Sequence, residues 1–98
     1  MTTRADRMAA LLQQQFTPVL LQIEDDSARH AGHAGAAPGG ETHYRVLLVS
    51  AAFNELSRLA RSRLVHAALD RELAGGLHAL TLSLRTPEEH ATVNSAGV

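Results

Sequence analysis

Apolar and polar positions alternate along this chain in two distinct periods. Met8, Leu11, Leu12 and Phe16 recur at i, i+3, i+4 and i+8, one stripe of a helix. Thr3 with Asp6 reads as a capping pair that starts this helix. Pro18 ends it, because the residue before a proline, here Thr17, is pushed toward extended geometry. From Val19 to Asp25 the period changes to two, with Val19, Leu21 and Ile23 on one face and Gln22 and Glu24 on the other, a half-buried strand. Thr42 to Ser50 forms a second strand, with Tyr44, Val46 and Leu48 opposite His43, Arg45, Leu47 and Val49. Its second half is apolar on both faces, which predicts a central place in the sheet.

The helical period returns over Leu56 to Leu73, where Leu64, Val65, Ala68, Leu69 and Leu73 make the expected buried stripe, and Gly75-Gly76 stops it. Leu77 to Arg85 alternates again, Leu80, Leu82 and Leu84 against Thr81 and Ser83. Thr86-Pro87-Glu88-Glu89 then combines a cap, a first-turn proline and a glutamate three residues after the cap, so a short helix starts there. His90 to Val98 has no period and reads as a frayed tail. The long helix between the second and third strands is the crossover that parallel pairing needs, while the first two strands can pair antiparallel. The expected fold is α+β, a three-stranded mixed sheet with helices on one face.

Composition narrows the chemistry. Ninety-eight residues make a single domain, here expected over residues 1–90 with a flexible tail at 91–98. The core must come from Leu, Val and Ala, because 45% of residues are hydrophobic and only 3% aromatic. The net charge of −1 gives no general pull toward nucleic acid or anionic lipid. No apolar run nears the ~20 residues of a membrane span, and Met1 to Asp6 has no secretory pattern, so a cytoplasmic protein is expected.

Six histidines and no cysteine make imidazole the one common soft-to-borderline metal ligand available. Two of them, His30 and His33, stand in the long Gly/Ala-rich segment between the first two strands. Connections of that length in a small domain are usually functional or disordered. Enzyme chemistry has no support. Glu24, Asp25 and Asp26 read as a solvated strand end, and Ser50 and Ser57 show no positioned base. Gly39-Gly40 runs into a strand and not into a helix N-terminus, so it is no phosphate cradle.

Several motifs then fall in a telling order. They are Asp25-Asp26-Ser27, His30-Ala31-Gly32-His33, Gly40-Glu41-Thr42-His43-Tyr44-Arg45-Val46, then Val49-Ser50 and Phe53. Arg61-Ser62-Arg63-Leu64-Val65-His66, Glu72-Leu73, His78-Ala79-Leu80 and Thr86-Pro87-Glu88-Glu89 follow. Together they resemble the BolA family from about Arg7 to Glu89. The resemblance implies a class II KH-like fold in α-β-β-α-α-β-α order. It implies a non-enzymatic partner of a monothiol glutaredoxin, sharing a [2Fe-2S] cluster with that protein and glutathione, and holding none when isolated. It further implies that His78 matches the family's cluster histidine, and that the second ligand comes from the loop, His30 first and His33 as the alternative. The absence of cysteine makes this a His-type chain. Four ligands are needed and thiolates are usual, so a chain without thiolates fits a shared cluster better than a private one. Imidazole must be neutral to ligate and titrates ordinarily near ~6.5, so the mixed complex is expected to weaken near pH ~6.

His43 reads as a strand residue packing or pairing across the sheet, and His66 as a neighbour of the apolar helical stripe. Bacterial members of the family are also described as transcription regulators linked to stress and morphology, and Arg58, Arg61 and Arg63 could meet phosphates of DNA. Against this, a KH domain grips the backbone with a Gly-x-x-Gly loop, and none lies in Ala52 to Arg63. The chain departs from the family at Ser62, often His there, and at His90, commonly an aromatic, usually Trp. The isolated protein is expected to be a monomer or weak dimer, with no membrane partner.

Overall fold

The structure, a computed structural model, describes residues 2–26 and 43–96. Helix α1 (Arg4–Phe16) opens on the expected box: the Asp6 N–H donates to the Thr3 hydroxyl at 3.1 Å, and the Thr3 N–H donates to the Asp6 carboxylate at 3.2 Å. These two bonds satisfy donors that a helix start otherwise leaves unmade. Met8, Leu12 and Phe16 are its buried stripe. The helix ends where Pro18 requires, but Thr17 is left-handed (φ 44°) and not extended. Its N–H reaches back to the Gln13 carbonyl at 3.1 Å, and that capping bond holds the turn.

Strands β1 (Leu20–Asp25), β2 (His43–Val49) and β3 (Ala79–Arg85) form one sheet in the order β1-β2-β3. β1 pairs antiparallel with β2, Leu20 opposite Val49 and Asp25 opposite Tyr44. β2 pairs parallel with β3, from His43 opposite Ala79 to Val49 opposite Arg85. The apolar β2 is central, as its pattern predicts. Val19, expected on the buried face, is 70% exposed, because it lies beyond the last β1–β2 pair. The third strand starts two residues later than its pattern predicts, and Leu77 enters the core from the turn before it.

The single helix expected over Leu56 to Leu73 is two, α2 (Arg58–Ala68) and α3 (Asp70–Ala74). The break is Leu69, at φ −102° and ψ 14°, whose carbonyl accepts from the Glu72 N–H at 3.0 Å in a tighter turn. The buried stripe also differs. Leu64 is exposed, and Arg61 and Glu72 are buried in register with Val65 and Leu69. The core joins Met8, Leu12 and Phe16 of α1, Tyr44, Val46 and Leu48 of β2, and Val65 and Leu69.

A 3₁₀ turn (Ala51–Phe53) follows β2. Ser50 pins it: its buried hydroxyl donates to the Phe16 carbonyl at 2.5 Å and accepts from the Ala52 N–H at 3.0 Å. Phe16 and Phe53 then meet with ring centroids 5.3 Å apart.

Helix α4 (Pro87–Ala96) keeps helical backbone through residues that the pattern assigns to a frayed tail from His90. The start explains it. Thr86 and Glu89 exchange two capping bonds, of 2.8 and 3.1 Å, around Pro87 at the first position. No helix among the described residues is long and apolar enough to cross a membrane.

Candidate functional site

His78 stands where α3 turns into β3, and the turn is held from several sides. Leu77 is buried and its N–H donates to the Glu72 carbonyl at 3.0 Å. Gly76 sits at φ 120°, a backbone conformation that only glycine adopts without strain. A Cβ there would also lie 3.4 Å from the Arg4 guanidinium. That guanidinium donates to the Gly75 carbonyl at 2.9 Å and to Glu72 at 3.0 Å. Arg7 grips the same carboxylate at 2.9 and 3.0 Å. Hydrogen bonding from Arg7, and then from Arg4, holds the Glu72 carboxyl below the usual carboxylate range, against burial that pushes it up. The result is an exposed imidazole on a fixed stem.

His43 opens β2, and the parallel register sets it opposite Ala79, one residue beyond His78. The two imidazole rings face each other with centroids 6.3 Å apart and planes at 45°. Parallel strands start at the same end of a sheet, so their first residues meet there. That rule, applied to the two strand starts, is the signal that could have paired His43 with His78 from sequence. The reading of His43 as a residue packing across the sheet therefore holds in its geometry, and its neighbour there is His78.

His30 and His33 lie outside the described residues. The segment that carries them leaves from Asp26 and returns at His43, and these two ends are joined, the Asp26 N–H donating to the His43 carbonyl at 2.7 Å. Arg45 adds an ion pair to Asp26 at 3.6 Å. The loop is thus rooted beside the histidine pair.

The donor set is two imidazoles. Among the described residues no group of three or more His, Asp or Glu side chains converges to hold a metal ion, and the chain has no thiolate. Such a set fits half of a [2Fe-2S] site, with the other ligands supplied from outside.

The arginines expected to meet phosphates do not act as one cluster. Arg58 and Arg63 are exposed, but Arg61 is only 7% exposed. Its guanidinium donates to the Leu56 carbonyl at 3.0 Å, to the Leu84 carbonyl at 3.1 Å and to Glu89 at 2.6 and 3.3 Å. It also lies over the Phe53 ring, 5.9 Å from the centroid. Arg61 is committed to the fold. Its place four residues before Val65 and eight before Leu69, on the buried stripe, was the signal for this. His66 lies on the exposed surface, its ring against the Ser62 carbonyl at 2.8 Å.

A small α+β protein with a mixed three-stranded sheet and two adjacent imidazoles at one sheet end is the class that these observations define. The chain belongs to the BolA family: the BolA-like protein family model matches residues 12–89. It is 49% identical over 78 residues to BolA-like protein 1 of Bos taurus, covering 80% of this chain and 55% of the relative. It is 42% identical over 91 residues to SufE-like protein 1, chloroplastic/mitochondrial, of Arabidopsis thaliana, covering 89% of this chain and 24% of that protein. The solved BolA domain of SufE1 from Arabidopsis thaliana superposes with a TM-score of 0.80 at 40% identity, over 91% of this chain and 98% of the domain. The chain spans about half the length of the curated BolA-like relatives it matches first.

Proposed function

We propose that this chain is a non-enzymatic partner of a monothiol glutaredoxin, in iron–sulfur cluster handling or iron- and redox-linked regulation. The two proteins and glutathione share a [2Fe-2S] cluster, which supplies electron-accepting iron and a reversible link between them. His78 is the fixed ligand from this chain, and the second imidazole comes from His30, His33 or His43. The observation that carries this reading is the His43–His78 pair, two adjacent imidazoles in a chain that has no thiolate. Kinship with a protein named SufE-like is in keeping with an iron–sulfur setting.

The test is reconstitution with a monothiol glutaredoxin and glutathione, read by visible absorption and circular dichroism. His78→Ala is expected to abolish the mixed-cluster spectrum while metal-free binding to glutaredoxin, followed by calorimetry, persists. An unchanged spectrum would overturn the role of His78. Single alanine variants of His30, His33 and His43 then rank the second ligand. Because imidazole ligates only when neutral, lowering the pH from ~8 to ~5.5 is expected to release the shared cluster.

A further inference from the structure

The side of β3 away from β2 carries a groove of about 600 Å³, walled by the start of α2 and one face of α4. Among the described residues no strand covers that edge. The ladder fixes which backbone groups point there. The Ser50 N–H donates to the Arg85 carbonyl at 2.9 Å, so Arg85 turns its groups toward β2. Alternation along the strand gives Thr81 and Ser83 the same direction, and turns Leu80, Leu82 and Leu84 outward. The Leu84 carbonyl confirms the phase, because it accepts from Arg61 on the open side at 3.1 Å. Leu82 therefore presents both its N–H and its C=O to the groove.

The walls are of mixed character. Leu82 and Leu84 are half-buried on the strand, and Val93 on α4 is 47% exposed. Three guanidiniums, of Arg58, Arg61 and Arg85, line the groove against the single carboxylate of Glu89. Arg61 and Glu89 satisfy each other at 2.6 Å, which leaves Arg58 and Arg85 as its net charge. None of the lining residues is aromatic, so stacked bases find no platform. A second copy pairing edge to edge would bring like charges together.

We propose that the β3 edge is a docking site for an extended acidic segment of a partner protein, which adds a strand along Leu80 to Leu84 and sets carboxylates against Arg58 and Arg85. Main-chain bonds to Leu82 give such a strand its register. Its apolar side chains meet Leu82, Leu84 and Val93, and the carboxylates steer the encounter and select against basic sequences. This surface lies along the strand edge and is distinct from the imidazole pair at the strand start.

A short peptide alternating valine with aspartate, and its valine–lysine counterpart, test this against the intact protein. Amide hydrogen exchange is followed residue by residue, and affinity by fluorescence anisotropy. The acidic peptide is expected to slow exchange at Leu80 and Leu82, and the lysine peptide to leave both unchanged. Arg58→Glu, at an exposed position, is expected to weaken acidic-peptide binding at least about tenfold, and Val93→Asp to weaken it as well. The idea is overturned if neither amide is protected at saturating peptide, or if Arg58→Glu leaves the affinity unchanged. It is equally overturned if oligothymidylate displaces the acidic peptide with no protection of the strand, which would mark a nucleic-acid surface. Protection that grows with protein concentration alone would mark a second copy of this chain as the occupant, and would also overturn it.

Discussion

Among the described residues, the networks around Glu72 and Arg61 brace the fold, and they are inverted copies of one idea. Near the His78 turn the buried member is an acid: Glu72, with arginines from α1 on either side of its carboxylate. At the far end of β3 the buried member is a base: Arg61, with the exposed Glu89 of α4 closing over it. Glu72 has two partners, so either arginine can be lost and the carboxylate stays paired. Arg61 has one carboxylate but also two carbonyls, from Leu56 and Leu84, so it joins three segments at once. A buried charge left unpaired is far more costly than an exposed one. The first network is redundant and holds a candidate ligand; the second is single and holds helices to the sheet edge.

Acid breaks both networks together and is expected to have the largest effect. Arg7 and then Arg4 lower the Glu72 carboxyl. Arg61, followed by the Thr86 N–H, holds Glu89 at about 2. A carboxyl depressed in the folded state stabilises the fold fully above its ordinary value, and that contribution is lost as pH falls through the folded value. Urea midpoints are therefore expected to be flat down to about pH 4.5 and to fall steeply toward pH ~2. Arg61→Ala should flatten the lower part of that fall, because it removes the largest cause of the Glu89 shift. A midpoint independent of pH over this range would count against both networks.

Breaking one network at a time sharpens the contrast. Arg61→Ala removes a buried cation and orphans two carbonyls, and is expected to cost about 3–5 kcal/mol by urea unfolding. Arg63→Ala, two residues on and exposed, is expected to stay within ~0.5 kcal/mol. Equal losses would mean that Arg61 is a surface residue after all.

The same contrast explains what could be read from the chain beforehand. Periods of two and of 3.6 gave the sheet order, the crossover and the caps, because Tyr44, Val46 and Leu48, or Met8, Leu12 and Phe16, carry their burial in their spacing. Arg61 and Glu72 sit at the same helical spacing, but a charged residue reads as a surface residue until its partner is known. Those partners, Glu89 and Arg4 with Arg7, are 28 and 65 to 68 positions away, beyond any local pattern. The break at Leu69 is silent in the pattern for a related reason: it has no glycine or proline to mark it. At the site, the family resemblance singles out His78, whereas its contact with His43 follows from the parallel register, which the sequence implies only once the topology is worked out.

The smallest expected effects separate the two arginines on Glu72. Arg7 is 44% exposed and makes the bidentate contact, and it is the largest cause of the lowered Glu72 carboxyl. Arg7→Ala is expected to cost about 1 kcal/mol or less, since Arg4 still pairs the acid. Its clearer sign is an upward move of the Glu72 titration, followed through the side-chain carboxyl carbon by nuclear magnetic resonance. Arg4 is the more buried, and it alone of the two also donates to the Gly75 carbonyl and lies against Gly76. Arg4→Ala is expected to move the Glu72 titration less and to speed amide exchange at Gly76, Leu77 and His78 instead. One arginine then sets the charge of the buried acid and the other sets the stem of the imidazole. If both variants changed titration and exchange alike, the network would be a single undivided clamp.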